Sequence, residues 1–168
     1  MIPLSSAISG GLTWSKLPRN RGYELRRNDE IVGSLQRPGF RSSSYLAETQ
    51  GGHWTFRRDG FLGSGAQTLD SASQQEIATF TSAWSGAGTL TFADGPTFHV
   101  ECKGWRHPVW SVIAENGETL LRMHVREETV EVPTGTAVPD GRLSLLIMFT
   151  WYRVLQAEED AASAAMVA

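Results

Sequence analysis

The sequence contains a single cysteine, Cys102, among its 168 residues. One cysteine cannot form an intrachain disulfide, and it cannot build a cysteine-rich metal site. We therefore expect residues 1–168 to form one intracellular domain that is stabilised by an apolar core rather than by cross-links.

An excess of basic residues is also lacking, because 15 Lys and Arg face 18 Asp and Glu, a formal net charge of −3. Nucleic-acid-binding domains are usually strongly basic, so no nucleic-acid partner is expected. The basic residues nevertheless concentrate in residues 1–60, which predicts a locally positive surface.

Residues 1–12 lack the basic start and the apolar stretch of a secretory signal. We expect them to be a flexible N-terminus of a cytoplasmic protein.

Glycine and proline, by contrast, are plentiful, with 17 and 7 residues spaced between short apolar runs. Many runs alternate apolar and polar residues, as 45–48, 53–57 and 97–103 do, which is typical of strands with one buried face. Counting such runs as far as residue 133 predicts about eleven or twelve strands. So many strands in a short chain must curl or close to protect their edges.

Turn signals separate the runs and predict hairpins, because Asn-Gly and Asp-Gly tolerate the positive φ angles of tight turns. The signals are Asn28-Asp29, Asp59-Gly60, Asp94-Gly95 and Asn116-Gly117. The last is the strongest, since apolar residues alternate on both sides of it, over 110–114 and 121–125. The segment 73–84 is ambiguous and could begin as a helical turn before it extends.

The pattern changes after residue 140 to the apolar run 143–155, which no turn residue interrupts. It predicts a helix over 139–157 that begins near Asp140 and is followed by a polar and alanine-rich tail, 158–168. Its apolar residues occupy every direction around the axis, as in a helix buried in a protein core or a membrane. Arg153 ends the unbroken run after ten residues. A bilayer span needs about 20, so we favour a core helix over a membrane anchor.

Two similar segments each carry a pair of arginines. Residues 23–29 and 54–60 share the order aromatic, polar, apolar, Arg, Arg, turn, turn, which duplication and coincidence among hairpins explain equally well. If the two hairpins are neighbours, their guanidinium groups could converge on a phosphate or an anionic headgroup. The alternative is a set of solvated residues that oppose aggregation at sheet edges. The candidate anion- or lipid-binding residues are Arg26, Arg27, Arg57 and Arg58.

The order of hairpins followed by one short, entirely hydrophobic helix resembles the tubby C-terminal-like superfamily, which includes tubby, the phospholipid scramblases and the LURP-one-related proteins. The resemblance is carried by the turn-linked segments 23–35, 53–63 and 109–125 and by the apolar run 143–155. It implies a mainly β fold, a closed barrel of about twelve antiparallel strands around a central hydrophobic C-terminal α-helix.

The resemblance also implies a non-enzymatic binding or scaffold module. Within the superfamily, tubby binds phosphoinositides through basic residues outside the barrel, and scramblases are associated with membranes and calcium. No Asp-x-Asp-x-Asp calcium loop occurs in this sequence, so calcium-dependent lipid scrambling is not carried over. An anionic phospholipid or membrane surface is the partner that we expect for a protein peripheral to the membrane.

Motifs for catalysis are missing. The histidines have no metal-binding spacing, and the glycine-rich stretch 60–66 lacks the ending of a phosphate loop. The acidic pairs Glu127-Glu128 and Glu158-Glu159 are predicted to be solubilising charges. We predict no catalytic residue, no metal and no cofactor.

The rival hypothesis is a lipocalin-like carrier or enzyme whose open lumen holds a small molecule. The position of the helix discriminates between this hypothesis and the tubby-like binding module, because a helix inside the barrel leaves no lumen for a ligand.

Removal of residues 140–168 is expected to give insoluble protein, because burying about ten large side chains contributes roughly 15 to 30 kcal/mol before entropy is subtracted. That contribution exceeds the net stability of a typical domain. Solubility and circular dichroism check this expectation. A soluble truncated protein with a native β spectrum would contradict it.

Overall fold

The structure, a computed structural model, describes residues 1, 2, 4, 11–39, 41–60, 64–83 and 87–167. Three predicted features therefore lie partly outside the described residues: the N-terminus 1–12, the glycine-rich stretch 60–66 and the last residue of segment 73–84. Ala168, at the end of the predicted tail, also lies outside them.

Within the described residues, twelve antiparallel strands form a closed barrel. Each strand pairs with the next one along the sequence, and β1 closes the ring against β12. The strands are β1 (Leu12–Lys16), β2 (Gly22–Arg27), β3 (Glu30–Gln36), β4 (Ser44–Thr49), β5 (Gly52–Asp59), β6 (Gly65–Asp70), β7 (Glu76–Ser82), β8 (Gly88–Phe92), β9 (Thr97–Lys103), β10 (Val109–Ala114), β11 (Thr119–His124) and β12 (Thr129–Glu131). The predicted closed barrel of about twelve strands is confirmed.

The hairpin predicted around Asn116-Gly117 joins β10 to β11. Trp110 pairs with Met123 and Val112 with Leu121, and all four side chains are buried. The ambiguous segment that starts at residue 73 forms a turn and then extends as β7. Alternation of apolar and polar residues thus predicted the inward face correctly, because a strand places successive side chains on opposite faces.

One helix, α1 (Asp140–Val167), fills the barrel. The fourteen consecutive residues 143–156 are all buried, so the buried surface runs around the whole helix rather than along one stripe. The helix contacts strands on opposite sides of the ring, including β3, β4 and β5 on one side and β10 and β11 on the other. It therefore occupies the space in which a lipocalin-like protein would hold its ligand.

Aromatic side chains form layers between α1 and the strands. Near its middle, Phe149 contacts Phe56 of β5 and Phe80 of β7, with ring centroids 5.6 and 5.5 Å apart. One layer further along, Trp151 stacks on Trp14 of β1 at 4.9 Å. Contacts between rings at these distances stabilise a core beyond the effect of area alone. They also join the helix to strands that are far from one another in the ring.

The helix is longer than its apolar run predicts. It was expected over 139–157, but it continues to Val167, so that residues 157–167 project beyond the barrel and are largely exposed. Alanine and glutamate are strong helix formers, and the first buried turns provide a nucleus from which the helix can propagate. The predicted polar and alanine-rich tail is therefore helical as far as Val167.

Replacing Phe149 by Ala is expected to lower the free energy of unfolding by about 3 to 5 kcal/mol, because it leaves a cavity among packed rings. Met166→Ala is the matched control on the same helix. Its side chain is 86% exposed, so the expected change is below about 0.5 kcal/mol. Urea denaturation measures both variants, and equal losses of stability would contradict the central position of the helix.

Candidate anion-binding rim of the barrel

The barrel has two ends that differ in their relation to the helix. We call the end at which α1 begins the lower rim and the end from which it emerges the upper rim. Because consecutive strands are antiparallel, alternate connections lie at alternate ends. The connections after β1, β3, β5, β7, β9 and β11 are at the upper rim, and those after β2, β4, β6, β8 and β10 are at the lower rim.

Charge is distributed very unevenly between these rims. Each rim consists of its connections, the two strand residues on either side of each connection, and the adjoining exposed part of α1. At the upper rim the basic residues are Lys16, Arg19, Arg21, Arg37, Arg41, Arg58, Lys103, Arg106 and Arg126, and the acidic residues are Asp59, Glu127, Glu128, Glu158, Glu159 and Asp160. The upper rim thus has an excess of basic residues.

The lower rim has the opposite balance. Its basic residues are Arg26, Arg27 and Arg142, and its acidic residues are Asp29, Glu30, Glu48, Asp70, Glu76, Asp94, Glu115, Glu118 and Asp140. The charge asymmetry therefore runs along the barrel axis, and an anionic surface is attracted to the upper rim and repelled from the lower one.

Arg26 and Arg27 end β2 at the acidic lower rim. Arg26 forms an ion pair with Glu24 at 2.6 Å, and its Nη1 donates to the carbonyl of Asp29 at 3.3 Å. A guanidinium held by its own strand and turn in this way has fewer donors left for an external anion.

Arg57 and Arg58 lie near the upper end of β5 on opposite faces. Arg57 is exposed on the outer wall, where its Nε donates to Oε1 of Gln67 at 2.8 Å. Arg58 lies on the same face of β5 as the buried Trp54 and Phe56, at the upper end of the strand. Its Nη2 lies 2.8 Å from a carboxylate oxygen of Asp160 in the helix.

The two basic pairs do not converge, which corrects the supposition made from the sequence. Their strands, β2 and β5, are separated by β3 and β4 and run in opposite directions. The pair Arg26-Arg27 therefore lies at the lower rim, whereas Arg58 lies at the upper rim. A role of either pair in anion binding stays a prediction.

A cleft of about 640 Å³ opens instead between the β1–β2 and β3–β4 connections of the upper rim. Its lining includes three arginines, Arg19, Arg21 and Arg37, and the described part of the lining contains no carboxylate. Arg19 and Arg21 are exposed, and among the described residues their side chains have no ion-pair partner. Several guanidinium groups around one cleft form a set of donors suited to phosphate or carboxylate.

The backbone joins the two connections that form the cleft. The amide of Arg37 donates to the carbonyl of Arg21 at 3.3 Å, which links the two connections. Within the β1–β2 connection, the amide of Leu17 donates to the carbonyl of Gly22 at 2.8 Å. Gly22 has φ +143°, and a Cβ at this position would lie 2.1 Å from the carbonyl oxygen of Leu35. Only glycine therefore permits this close approach of β2 and β3 beside the cleft.

An ion-pair cluster attaches the emerging helix to the same rim. Glu159 of α1 pairs with Arg37 and, at 3.6 Å, with Arg58. It also accepts a hydrogen bond from the Tyr45 hydroxyl at 3.0 Å. The guanidinium of Arg37 lies 4.9 Å from the Tyr45 ring centroid. Glu159 was predicted to be a solubilising charge, but its half-buried carboxylate instead connects the helix to β4, β5 and the cleft.

A second polar cluster lies in the core just below the rim. Arg153 is 7% exposed, donates from Nη1 to Oε1 of Gln156, and stands over the Phe80 ring at 4.4 Å. Gln156 in turn donates from Nε2 to the Tyr152 hydroxyl at 2.7 Å. Burial lowers the pKa of Arg153 and raises that of Tyr152. An amide and an aromatic face replace part of the water that the guanidinium loses on folding, while Nε of Arg153 is buried without a hydrogen-bond partner among the described residues.

The described residues offer no group of three or more His, Cys, Asp or Glu side chains that could hold a metal ion. His99 is exposed on the outer wall, and His124 lies 3.4 Å from Glu131. Cys102 is half-buried, and its burial raises the thiol pKa, which disfavours the reactive thiolate.

Comparison with protein-family models, with curated proteins and with solved structures found no match to this chain. Among the described residues, no helix is long and apolar enough to cross a membrane. Kinship with the tubby-like superfamily therefore stays a prediction, whereas the barrel and its helix are observed directly.

Sequence patterns missed the three cleft arginines. A signal was present, because two short segments combine proline with arginine, Pro18-Arg19-Asn20-Arg21 and Arg37-Pro38-Gly39. Proline and glycine indicate connections, but nothing in the chain indicates that these two connections adjoin.

Tyr152→Phe is expected to reduce the loss of stability at alkaline pH. A tyrosine in the unfolded chain ionises near pH 10, whereas burial raises the pKa of native Tyr152. Above about pH 10 the unfolded state therefore holds fewer protons than the native state, and stability falls as pH rises. At pH 7 the variant should lose about 1 to 2 kcal/mol, because the Gln156 amide loses its acceptor. Urea denaturation at pH 7, 9 and 11 measures both effects, and an unchanged slope above pH 9 would contradict the first.

Proposed function

We propose that this protein is a tubby-like, non-enzymatic binding module that recognises anionic lipid headgroups, with phosphoinositides as the first candidates, through the cleft at its upper rim. The single observation that carries the proposal is the cleft of about 640 Å³ lined by Arg19, Arg21 and Arg37. It acts at the surface of a membrane, peripheral to the bilayer and on its cytoplasmic side.

The chemistry of the lining favours phosphate over other anions of the same charge. A guanidinium presents a planar fork of donors that matches two phosphate oxygens. Asn20 and Gln36 also line the cleft, and their side-chain amides can donate to further oxygens or to sugar hydroxyls. A headgroup with more than one phosphate can therefore occupy more of the cleft than phosphatidylserine can.

The charge of the rest of the molecule favours the same orientation. The upper rim is basic and the lower rim is acidic, so an anionic membrane attracts the cleft towards its surface. Each Lys or Arg near such a surface contributes about 1 kcal/mol of attraction, which is screened by salt. Because α1 fills the lumen, the cleft provides the binding volume on the outside of the barrel.

The double variant Arg19→Ala, Arg21→Ala is expected to weaken binding to phosphatidylcholine vesicles that contain a phosphoinositide by about tenfold to thirtyfold, since two surface contacts of about 1 kcal/mol are lost. Vesicle co-sedimentation at two salt concentrations measures the effect. Neither side chain forms an ion pair with the described residues, so thermal stability should stay unchanged.

The matched control is Arg26→Ala, Arg27→Ala, which removes the same charge from the lower rim and should leave binding unchanged. Phosphatidylserine vesicles and a soluble inositol phosphate competitor separate a phosphate-specific cleft from general attraction. Equal losses in the two double variants, or no binding by the unmodified protein, would contradict the proposal.

A further inference from the structure

An exposed tryptophan stands on the same rim as the cleft. Trp105 lies in the β9–β10 connection and is 86% exposed. The guanidinium of the adjacent Arg106 lies 5.0 Å from the centroid of its ring. The other four tryptophans of the described residues are at most 5% exposed. Tryptophan is enriched at protein interfaces and at membrane–water interfaces, because its large apolar ring carries one polar N–H group.

The connection that carries Trp105 is held to its neighbour. His107 of the same connection lies 3.3 Å from Nη1 of Arg126 and 3.8 Å from a carboxylate oxygen of Glu127, both in the β11–β12 connection. Lys103, at the end of β9, is 77% exposed and pairs with Glu101 at 2.8 Å. The surroundings of Trp105 therefore carry both signs of charge, and the cation in contact with its ring is Arg106. The nearby cations are Lys103, Arg106 and Arg126, and the nearby carboxylates are Glu101, Glu127 and Glu128.

Trp105 and the cleft lie on nearly opposite sides of the ring. The cleft is formed by the connections on either side of β2 and β3, whereas Trp105 follows β9 in a barrel of twelve sequentially ordered strands. A ligand small enough to fill the cleft cannot reach Trp105 as well. A flat partner that covers the upper rim contacts both.

The exposed end of α1 projects from this rim and indicates the nature of the partner. Residues 161–167 carry no charge, and Met166 and Val167 are 86% and 89% exposed. Nucleic acid would add contacts to the cations but would bury little of this apolar surface. A bilayer whose headgroups are anionic and whose interior is apolar suits both parts.

We infer that Trp105 is an interfacial anchor: the barrel stands on its upper rim on an anionic phospholipid bilayer, with the indole ring of Trp105 inserted at headgroup depth. The inference rests on the proposed function and adds the orientation of the barrel and the contact with the lipid. Tryptophan has the amphipathic ring that the membrane–water interface favours.

Trp105→Ala is expected to weaken binding to vesicles of phosphatidylcholine and phosphatidylserine by about tenfold, the effect of withdrawing one large apolar side chain from an apolar environment. Leu46→Ala is the matched control, because Leu46 is an apolar side chain exposed on the outer wall at 43%. It should bind like the unmodified protein. Circular dichroism should be the same for all three proteins.

Fluorescence tests insertion directly. Trp105 is the one exposed tryptophan among the described residues, and replacing Trp84, which lies outside them, by Phe leaves Trp105 to report on the lipid. Vesicles with bromine-labelled acyl chains should quench the fluorescence of this Trp84→Phe protein. They should not quench the Trp105→Ala variant. If the proteins with and without Trp105 bind vesicles equally and are quenched equally, Trp105 is not an interfacial anchor. The cleft proposal would be unaffected by that result.

The remaining outcomes also discriminate. Loss of vesicle binding in the Arg19→Ala, Arg21→Ala variant, with Trp105→Ala unaffected, supports the cleft and rejects the anchor. If the unmodified protein binds neither vesicle type, both proposals fail. Binding of a DNA duplex that depends on Trp105, without binding of vesicles, rejects the bilayer as the partner.

Discussion

Burial of the apolar half of α1 inside the ring of strands is the interaction on which the rest of the structure depends. A twelve-stranded ring has no edge to pair with another chain, but its inward side chains need something to pack against. Phe149 and its ring partners on β5 and β7 supply that contact at the centre of the barrel. The helix in turn needs the ring, because its apolar surface extends around its whole circumference.

The same burial determines where binding can occur. Since residues 143–156 are buried within the ring, they occupy the lumen, and a ligand would have to bind on the outside of the barrel. The helix also delivers Glu159 and Asp160 to the upper rim, where they neutralise Arg37 and Arg58 in part. Arg19 and Arg21 have no ion-pair partner among the described residues, so they are the two cleft arginines whose charge the helix does not neutralise. The helix is thus both the core of the fold and part of the electrostatics of the candidate site.

Strand parity explains why similar sequences have different surroundings. Residues 23–29 and 54–60 follow the same pattern, and Leu25 and Phe56 both point into the core. Their strands are three positions apart, an odd number, so they run in opposite directions. One arginine pair meets the acidic rim and the other meets the basic rim and the helix. Two segments with the same pattern of residue types can therefore place their arginines in different electrostatic environments.

The strands, most turns and the burial of the helix could be predicted from the chain alone, because alternation, turn residues and all-round apolarity act over a few neighbouring residues. The number of strands and the need to protect their edges predicted a sheet that curls or closes, and the resemblance to the tubby-like superfamily implied the closed ring. The cleft could not be predicted in this way. Its arginines come from two separate connections, and a backbone hydrogen bond between Arg37 and Arg21 holds those connections together. Which charges share a rim depends on the number of strands before them. The sequence predicts only about eleven or twelve strands, and one strand more or fewer reverses the direction of every strand that follows, so the assignment of charges to rims is decided by the tertiary structure.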